Sequence, residues 1–331
     1  MKYICLPNTR QHRLPFYLAM EEFVARHLDE DECFFMWQVE PTVIFGRNQL
    51  IENEVNLEYC RTHGIQTYRR KSGGGCVYAD PENIMFSYIV RADSVCFTFD
   101  RYLRMVAFML RKLGLPAEAS GRNDILIEGK KVSGNAFYHL PNKSIVHGTM
   151  LFNTDLSRLV HAITPSNEKL ISKGIESVRQ HVTNLSEHLT ISIDEFKQFV
   201  REQLCEDTLC LSESDVKQIQ QIEQEYLTDE FIYGNNPRYT LIRRGRTPMA
   251  GELEVRMELK NGIVKKLNLL GDYFLTGDLD KGLIKPLTNI PYRKEDFREA
   301  LKDIKLNDII LHLDEQQFLD IIFKDEQIQP I

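Results

Sequence analysis

The sequence predicts an α+β fold, with a mixed β-sheet in a large domain and a smaller α+β domain at the C-terminal end. The first observation is that strand-like runs are separated by hairpin turns in some places and by helical stretches in others, so a strict alternation of strand and helix fails. The second is the length of 331 residues, which favours two domains over one. The character of the sequence changes beyond about residue 234, and we expect the domains to span residues 1–245 and 246–331.

Helices are expected where apolar residues recur with a period of about 3.6 residues. The clearest one covers residues 99–113 and is closed by Gly114 and Pro116, which together form a stop signal. The expected helices are residues 14–28, 56–63, 99–113, 156–161, 193–204, 215–227, 297–304 and 314–323.

Strands are expected where apolar and polar residues alternate, or where short apolar runs are bounded by turn signals. Such turn signals occur at residues 80–83 (Asp-Pro-Glu-Asn), at Glu128-Gly129 and at Asn261-Gly262, and the last is a typical hairpin dipeptide. The expected strands are residues 33–38, 42–45, 65–68, 76–79, 84–90, 124–127, 131–138, 144–152, 253–259 and 263–269.

Composition and charge narrow the classes of function. Hydrophobic residues make up 43% of the chain and charged residues 27%, which is typical of a soluble globular protein. The formal net charge of -7 argues against general nucleic-acid binding. The first residues do not resemble a signal peptide, and no apolar run approaches about 18 residues. We therefore expect a cytoplasmic protein that does not span a membrane.

The cysteines and histidines give no sign of a metal site. The seven cysteines form no CxxC pair, and their odd number and scatter predict reduced, mostly buried thiols. The nine histidines are equally dispersed, without HExxH or paired Cys/His spacing.

The strongest local signal is at residues 69–79, which read Arg-Arg-Lys-Ser-Gly-Gly-Gly-Cys-Val-Tyr-Ala. Three successive glycines are costly unless the backbone must follow an unusual path. A bare backbone can approach a ligand closely and point several N–H groups into one concavity, which suits phosphate or carboxylate oxygens. The basic residues just upstream also favour an anion. The alternative is a flexible turn with solvated basic side chains; the pattern is neither GxGxxG nor a Walker sequence. We call Ser72–Gly75 the glycine loop.

A second constellation follows from the predicted turn at Glu128-Gly129. In this register Leu126 opposes Lys131. Asp124 then opposes Ser133, and because side chains alternate across a sheet, these four residues share one face. Asp124 and Lys131 are diagonal neighbours, and a carboxylate and an ammonium on a rigid hairpin suit phosphate and carboxylate oxygens, with or without Mg²⁺. The alternative is a surface salt bridge of small energetic value.

Two further stretches each allow a functional and a structural interpretation. His147-Gly148-Thr149 places a polar residue beside a glycine inside an apolar strand, so the histidine either faces a ligand or is satisfied by a backbone partner in the core. Residues 173–179, Lys-Gly-Ile-Glu-Ser-Val-Arg, form a basic loop that either gates a site or is a solvated connection.

Taken together, these stretches resemble the lipoate–protein ligase family. The matching pieces occur in the family's order and spacing over about residues 10–190, and residues 237–323 resemble the family's small C-terminal domain more weakly. The matching pieces are Phe45-Gly46-Arg47-Asn48-Gln49, residues 69–75, Gly121-Arg122-Asn123-Asp124, Lys131-Val132-Ser133-Gly134-Asn135-Ala136, His147-Gly148-Thr149, residues 173–179 and Thr183-Asn184-Leu185.

The resemblance implies an α+β catalytic domain of the type shared with biotin–protein ligases and octanoyl transferases. It also implies a two-step reaction with ATP and Mg²⁺ as cofactors. The carboxylate of lipoate, or of octanoate, attacks the α-phosphate of ATP and gives an acyl-adenylate, lipoyl-AMP, and pyrophosphate. The ε-amine of a lysine on an acceptor lipoyl domain then attacks the acyl carbonyl and releases AMP.

The resemblance also assigns roles to individual residues. Lys131 is the expected catalytic residue, touching both the α-phosphate and the lipoyl carbonyl and offsetting charge in each step. Asp124 is the candidate for holding Mg²⁺ through ATP. The residues expected to bind ATP or lipoyl-AMP are Arg70, Gly75, Cys76, Val77, Tyr78, Asn123, Asp124, Lys131 and Ala136. The residues expected to bind lipoate, in a dry apolar tunnel, are Ser72, Gly73, Gly74, Lys131, His147 and Gly148.

The partners implied are lipoate, the lipoyl domains of 2-oxoacid dehydrogenase complexes and the H protein of glycine cleavage. A monomer with a mobile C-terminal domain is implied, without nucleic-acid or membrane partners. Two positions depart from the family's pattern, because a histidine and a glycine are usual where this chain has Ala79 and Glu82. These departures leave the loop geometry and the strength of substrate binding open. Cys76 stands where alanine is common.

Three other functions stay open. An octanoyl or lipoyl transferase takes the acyl group from a carrier protein without ATP, through a cysteine nucleophile. Related transferases carry that cysteine in the segment corresponding to residues 120–124, which has none here, so Cys76 is the only thiol beside the proposed site. A biotin–protein ligase has a different glycine- and arginine-rich signature. A non-catalytic lipoate-binding protein is favoured by Ala79 and Glu82 and opposed by the retained Lys131.

Overall fold

A computed structural model of the chain describes residues 1–49, 51–91, 95–120, 123–163, 180–233, 241–260 and 262–323. The chain forms two compact units. The first contains Met1–Phe45, Ile51–Lys71 and Cys76–Gly234, and the second contains Gly46–Leu50, Ser72–Gly75 and Asn235–Ile331. The glycine loop therefore belongs to the second unit, although the residues on both sides of it belong to the first. The boundary at residue 245 stays a prediction.

Each expected helix and strand has a described counterpart of the same type at about the same position, whereas the helices at Ile51–Glu54 and Asp229–Tyr233 and four of the strands were not expected. The helices are α1 (Leu14–His27), α2 (Ile51–Glu54), α3 (Leu57–Thr62), α4 (Val95–Lys112), α5 (Leu156–Ile163), α6 (Ile193–Leu204), α7 (Glu213–Tyr226), α8 (Asp229–Tyr233), α9 (Lys294–Leu301) and α10 (Glu315–Ile322). The strands are β1 (Lys2–Cys5), β2 (Glu32–Trp37), β3 (Thr42–Phe45), β4 (Gln66–Arg69), β5 (Val77–Ala79), β6 (Asn83–Arg91), β7 (Ala117–Ala119), β8 (Asp124–Ile127), β9 (Lys130–Leu140), β10 (Lys143–Leu151), β11 (Asp207–Cys210), β12 (Leu241–Thr247), β13 (Gly251–Lys260) and β14 (Ile263–Gly271).

A mixed sheet dominates the first unit. Its described strands have the order β11-β1-β2-β6-β10-β9-β8-β7. Strand β1 pairs in parallel with β2 and with β11, whereas the remaining neighbours in this sheet are antiparallel. This arrangement confirms the predicted α+β class with a mixed sheet, since parallel and antiparallel pairs occur together.

Helix α1 packs on this sheet and contributes most of its length to the core. Residues 14–25 are all buried, and they include Glu21 and Glu22 among apolar neighbours. Pro15 in the first turn suits the start of a helix, because proline has no N–H to satisfy there. The buried core around α1 also contains residues from β2, β6 and α7. Two carboxylates on such a helix require buried partners, because a buried charge is costly unless it is paired.

A second, three-stranded sheet in the first unit has the order β4-β3-β5. Strand β4 pairs in parallel with β3, and β5 pairs antiparallel with it. The strands before and after the glycine loop are therefore separated by β3.

The cysteine prediction is wrong for one pair. Cys5 and Cys210 form a disulfide, whereas Cys33, Cys60, Cys76 and Cys205 are free. The reason is the pairing of β1 with β11, which makes Cys5 and Cys210 register partners with Cα atoms 4.6 Å apart. That separation lies in the range that a disulfide spans.

The second unit has its own core and an antiparallel sheet of order β12-β13-β14. The hairpin predicted between residues 253 and 269 is confirmed by β13 and β14, although Asn261 of its turn lies outside the described residues. Gly245 of β12 lies against helix α10, where an added Cβ would come within 2.5 Å of Ile321 Cγ1. None of the helices in the described part of the chain is long and apolar enough to cross a membrane.

Candidate active site

The hairpin of β8 and β9 turns at Glu128-Gly129, as predicted. Both residues have positive φ, 50° and 77°, which is the backbone of a two-residue hairpin turn. The predicted pair Leu126 and Lys131 is confirmed, but the predicted pair Asp124 and Ser133 is wrong. The register shifts between Ile125 and Leu126, so that Ser133 opposes Ile125 and Gly134 opposes Asp124.

A β-bulge explains this shift. Strand β9 contains one residue more than β8 can match, and the extra residue is Val132, which is 0% exposed. Ser133 consequently does not share a face with Asp124, and it is buried opposite Ile125. Because the bulge lies beyond Lys131, the pairing of Lys131 with Leu126 is unaffected, and Asp124 and Lys131 stay diagonal neighbours.

The ammonium of Lys131 lies 2.8 Å from Asp124 Oδ1, and the two side chains are 35% and 28% exposed. An added Cβ at Gly134 would lie 2.7 Å from Lys131 Nζ, so this glycine leaves the space that the lysine side chain occupies. The backbone of Lys131 is also held, because its carbonyl accepts a hydrogen bond from Thr183 N at 2.9 Å. The hairpin therefore presents a fixed cation that solvent can reach.

Asn135 connects this hairpin to strand β10. Its N–H and its side-chain Nδ2 both donate to Asn123 O, at 3.0 and 3.1 Å, and Asn123 Nδ2 donates to Asn135 O at 3.1 Å. The side-chain amide of Asn123 is thus hydrogen-bonded to the backbone of β9. Gly148 pairs with Asn135, and an added Cβ at Gly148 would overlap Asn135 Oδ1. Ala136, expected near the nucleotide, is buried and pairs with His147.

His147 is buried and belongs to a chain of polar side chains. Its Nδ1 lies 2.9 Å from Glu21 Oε2. Glu21 Oε1 accepts a hydrogen bond from Ser87 Oγ at 2.6 Å, and Trp37 Nε1 donates to that same Oγ at 2.8 Å. All four side chains are buried. The histidine therefore has a carboxylate partner in the core, from helix α1.

Arg70 is buried beside strand β3. Its Nη1 donates to Ile44 O at 3.0 Å, its backbone N–H donates to Phe45 O at 3.1 Å, and burial lowers the pKa of the guanidinium to about 10. Burial also raises the pKa of the Cys76 thiol far above its usual value, although the Arg70 charge lowers it. Burial raises the pKa of Tyr78 to about 12. Val77, Tyr78 and Ala79 form β5, and Ala79 is fully buried.

In the second unit, the glycine loop packs closely against backbone. Gly74 has a φ of 85° and donates its N–H to Tyr273 O at 3.1 Å. An added Cβ at Gly73 would overlap Tyr273 O, and one at Gly46 would overlap Gly74 O. Ser72 O accepts from Arg47 N at 2.9 Å. Gly46 and Gly73 are therefore needed for close backbone packing within this unit, and Gly74 for its left-handed backbone, whatever else the loop binds.

Comparison with known proteins identifies the family. Residues 14–205 match the model of the lipoyl protein ligase A/B catalytic domain, and residues 236–322 match that of the bacterial lipoate protein ligase C-terminus. The chain is 32% identical to lipoate-protein ligase LplJ of Bacillus subtilis, over 92% of this chain and 96% of that protein. The chain belongs to the lipoate–protein ligase family. It is also 33% identical to lipoate–protein ligase 1 of Staphylococcus aureus, over 97% of this chain and all of that protein.

Solved structures of lipoate–protein ligases share this fold. LipL1 of P. falciparum, solved in complex with lipoate, matches with a TM-score of 0.73 at 20% identity, over 96% of this chain and 97% of that one. A lipoate-protein ligase A bound with ATP matches with a TM-score of 0.60 at 26% identity, over 70% of this chain and 98% of that one. A bipartite ligase from Thermoplasma acidophilum, described with its E2 lipoyl domain, has a TM-score of 0.64 at 26% identity and covers 72% of this chain and 98% of that one.

Some predicted site residues of this ligase are brought together within one unit, and others lie in different units. Lys131, Asp124 and Asn123 adjoin one another on the hairpin of the first unit, and His147 and Gly148 lie on the neighbouring strand β10. The glycine loop belongs to the second unit. Gly121, Arg122 and the basic loop at residues 173–179 lie outside the described residues.

The prediction missed three polar residues of the ligase, namely Glu21, Ser87 and Trp37. The sequence did contain a signal for the first, because Met20-Glu21-Glu22-Phe23 places two carboxylates inside an apolar helical stretch. Ser87 and Trp37 gave no such signal, since a serine or a tryptophan in a strand is ordinary.

Proposed function

We propose that this ligase activates free lipoate, or octanoate, with ATP to the acyl-adenylate and transfers the acyl group to a specific lysine of a lipoyl domain. The observation that carries the proposal is the Lys131 ammonium, held 2.8 Å from Asp124 on a rigid hairpin and still 35% exposed. A fixed, accessible cation serves both steps, because negative charge grows on the α-phosphate oxygens in the first step and on the acyl carbonyl oxygen in the second, and these two groups are joined in the acyl-adenylate.

In the first step, a carboxylate oxygen of lipoate attacks the α-phosphorus of ATP and the bond to the β-phosphate oxygen breaks. Two anions must approach each other, and Lys131 offsets their repulsion while it orients them. Arg70 and residues 75–78 hold the nucleotide, with Asn123 and Ala136 beside it. Pyrophosphate leaves with the electron pair of the broken bond.

Magnesium enters this proposal through ATP. Among the described residues, no group of three or more His, Cys, Asp or Glu side chains could hold a metal ion. A single Asp124 carboxylate fits Mg²⁺ that arrives on ATP, because Mg²⁺ takes most of its ligands from phosphate and water in such sites. When bound, the ion offsets phosphate charge.

In the second step, the neutral amine of the acceptor lysine attacks the acyl carbonyl, the bond to the phosphate oxygen of AMP breaks, and the amine loses a proton. Lys131 stabilises the oxyanion that forms on the carbonyl. No enzyme nucleophile is needed. The free thiols fit this proposal, because burial raises the pKa of Cys33, Cys60 and Cys205 to about 11 and that of Cys76 further.

The lipoyl chain is proposed to lie in an apolar tunnel near His147, Gly148 and residues 72–74. The acceptors are proposed to be lipoyl domains of 2-oxoacid dehydrogenase complexes and the glycine cleavage H protein. We also propose that the protein is a monomer and acts in the cytoplasm, where ATP and these acceptors are found. The likeness to a ligase described with its E2 lipoyl domain and to one bound with ATP supports these substrates.

The test is the intact mass of an apo lipoyl domain incubated with this protein and free lipoate, with and without ATP and Mg²⁺. A lipoyl mass gain that needs ATP is expected. No gain with free lipoate, together with transfer from an acylated carrier protein, would identify a transferase and direct attention to Cys76. Lipoate binding in calorimetry without pyrophosphate release would identify a binding protein.

A further inference from the structure

The segment between residues 205 and 236 is covered by neither of the two family models. Its described part contains β11, α7 and α8. The segment is not a peripheral connection, because Val216, Ile219 and Tyr226 belong to the same buried core as helix α1.

One residue that it holds is Lys71, the last residue before the glycine loop. Lys71 Nζ lies 2.7 Å from Glu225 Oε2 of α7 and 4.8 Å from the ring centroid of Tyr226. The same ammonium lies 5.9 Å from the ring centroid of Phe231 in α8. Lys71, which the sequence suggests as one of the basic residues that attract an anion, therefore contacts a carboxylate and two aromatic rings of the first unit.

The cluster is completed by a buried carboxylate from helix α1. Glu22, whose side chain is 1% exposed, lies 2.7 Å from Lys71 Nζ and 3.0 Å from Arg26 Nη2. The Tyr226 hydroxyl donates a hydrogen bond to the same carboxylate. A buried carboxylate with two cations and a hydroxyl is satisfied, and removal of one partner leaves charge uncompensated.

Arg69 is held by the same segment. Its Nε donates to Ile232 O in α8 at 2.8 Å, and its guanidinium lies 4.6 Å over the Phe45 ring. Two of the three basic residues before the glycine loop are thus fixed by α7 and α8.

We infer that this segment positions the glycine loop, with Glu22, Glu225 and Tyr226 as positioning residues that act through Lys71. The inference rests on the proposed function, in which the loop binds lipoate. Glycines have unusual backbone freedom, and fixing the residue from which the loop departs reduces the ordering that substrate binding must supply. Loss of the cluster should therefore raise the KM for lipoate more than it lowers kcat.

The experiment compares Lys71→Met with the wild-type protein, using pyrophosphate release to measure KM and kcat and hydrogen exchange to follow residues 69–76. Lys71→Met should raise the KM for lipoate roughly tenfold, leave kcat within about twofold and accelerate exchange at the loop. Lys71→Arg keeps the positive charge, so its KM for lipoate should lie between those of Lys71→Met and the wild type. Glu225 has a side chain that is 58% exposed, so Glu225→Gln carries the test if Lys71→Met does not fold, with a smaller effect in the same direction.

The matched control is Arg13→Gln, because Arg13 pairs with Glu223 of α7 at 3.0 Å but does not contact Lys71. It should leave the lipoate KM and the exchange at residues 69–76 unchanged. A folded Lys71→Met protein with wild-type KM would overturn the inference, as would an equal effect of Arg13→Gln. If the wild-type protein releases no pyrophosphate, the proposed function fails. The inference is then tested by hydrogen exchange alone: faster exchange at residues 69–76 in Lys71→Met but not in Arg13→Gln supports it, and equal exchange in the two variants overturns it.

Discussion

Lys131 and Asp124 form an ion pair that solvent reaches from one side. A partly exposed pair contributes little to stability, because water screens its charges and the side chains lose conformational freedom. In the function proposed above, the same exposure lets the ammonium exchange the carboxylate for a phosphate oxygen without a large desolvation change. We therefore expect substitutions of the pair to change activity far more than stability.

Lys131→Ala should lower pyrophosphate release in the presence of lipoate and ATP by roughly a hundredfold or more, because the positioned cation is lost in the transition state. Its thermal midpoint should hardly change, as expected for a surface pair. The control is Lys130→Ala, at the exposed neighbouring position on the same hairpin. Full pyrophosphate release by Lys131→Ala would remove Lys131 from the mechanism.

Cys76→Ser separates the ligase from the transferase. Because burial keeps the thiol protonated and adenylate chemistry needs no thiolate, lipoylation of an apo lipoyl domain should stay within about fivefold of wild type. The measurement is the ATP-dependent mass gain of the acceptor, with Cys205→Ser as the matched substitution of another free thiol. Complete loss of lipoylation in Cys76→Ser, but not in Cys205→Ser, would favour the transferase mechanism.

Gly148→Ala should destabilise the protein by about 1–3 kcal/mol, because its methyl group overlaps the Asn135 amide. In an Asn135→Ala background the same change should cost less, because the obstructing amide is gone. Urea unfolding of the four proteins gives the coupling energy of this double-mutant cycle. Additive effects of the two substitutions would contradict the packing explanation.

At the scale of elements, helix α1 joins the strands of the large sheet through polar contacts as well as apolar ones. Glu21 reaches Ser87 of β6 and His147 of β10, and Ser87 in turn accepts from Trp37 of β2. Four elements thus share one buried chain of hydrogen bonds. Such a network fixes the position of β10, which carries Gly148, relative to α1, β2 and β6.

Ser87→Ala should destabilise the protein by about 1–3 kcal/mol, since the Trp37 indole N–H and a Glu21 oxygen each lose a buried partner. Urea unfolding measures the loss. Ser186→Ala removes an exposed hydrogen bond to Asn153 and should change stability by less than about 0.5 kcal/mol. Equal stability of Ser87→Ala and wild type would show that the network is not structurally important.

Sequence patterns predicted the long elements well and the isolated strands poorly. Helices such as α4 and α7 show a clear 3.6-residue period, and hairpins such as β13–β14 are marked by local turn residues. Strands β1, β7, β11 and β12 were missed, because none has a two-residue hairpin turn beside it and β12 is rich in arginine. The register of Ser133 was wrong because a bulge is decided by packing of Val132, which the pattern does not contain.

At the scale of the whole molecule, site contacts within one hairpin could be predicted from the sequence, whereas site contacts between distant segments could not. Lys131 and Asp124 could be paired from the sequence because a short hairpin connects them. The contact of His147 with Glu21 could not be predicted from the sequence, since Glu21 lies 126 residues away and is brought near by packing of α1 on the sheet. Contacts between residues far apart in the chain depend on topology, which the local patterns of a single sequence do not reveal.

Cys5→Ser should lower the free energy of unfolding by about 2–4 kcal/mol under oxidising conditions, because the disulfide closes a loop of 205 residues in the unfolded chain. Under a strong reductant, the variant and the wild type should unfold alike. Cys205→Ser, at a free thiol, is the control. An intact mass that does not change by two hydrogens on reduction would show that the bond is absent.

The pairing of β1 with β11 also has a consequence for synthesis of the chain. Strand β1 leaves the ribosome well before its outer partner, which begins at Asp207, about 200 residues later in the chain. At about 5–20 residues per second, roughly 10–40 s pass before β11 is available. During that time the outer edge of β1 has no strand beside it, so protection of a newly made sheet edge, and not only final stability, depends on how fast this protein is translated.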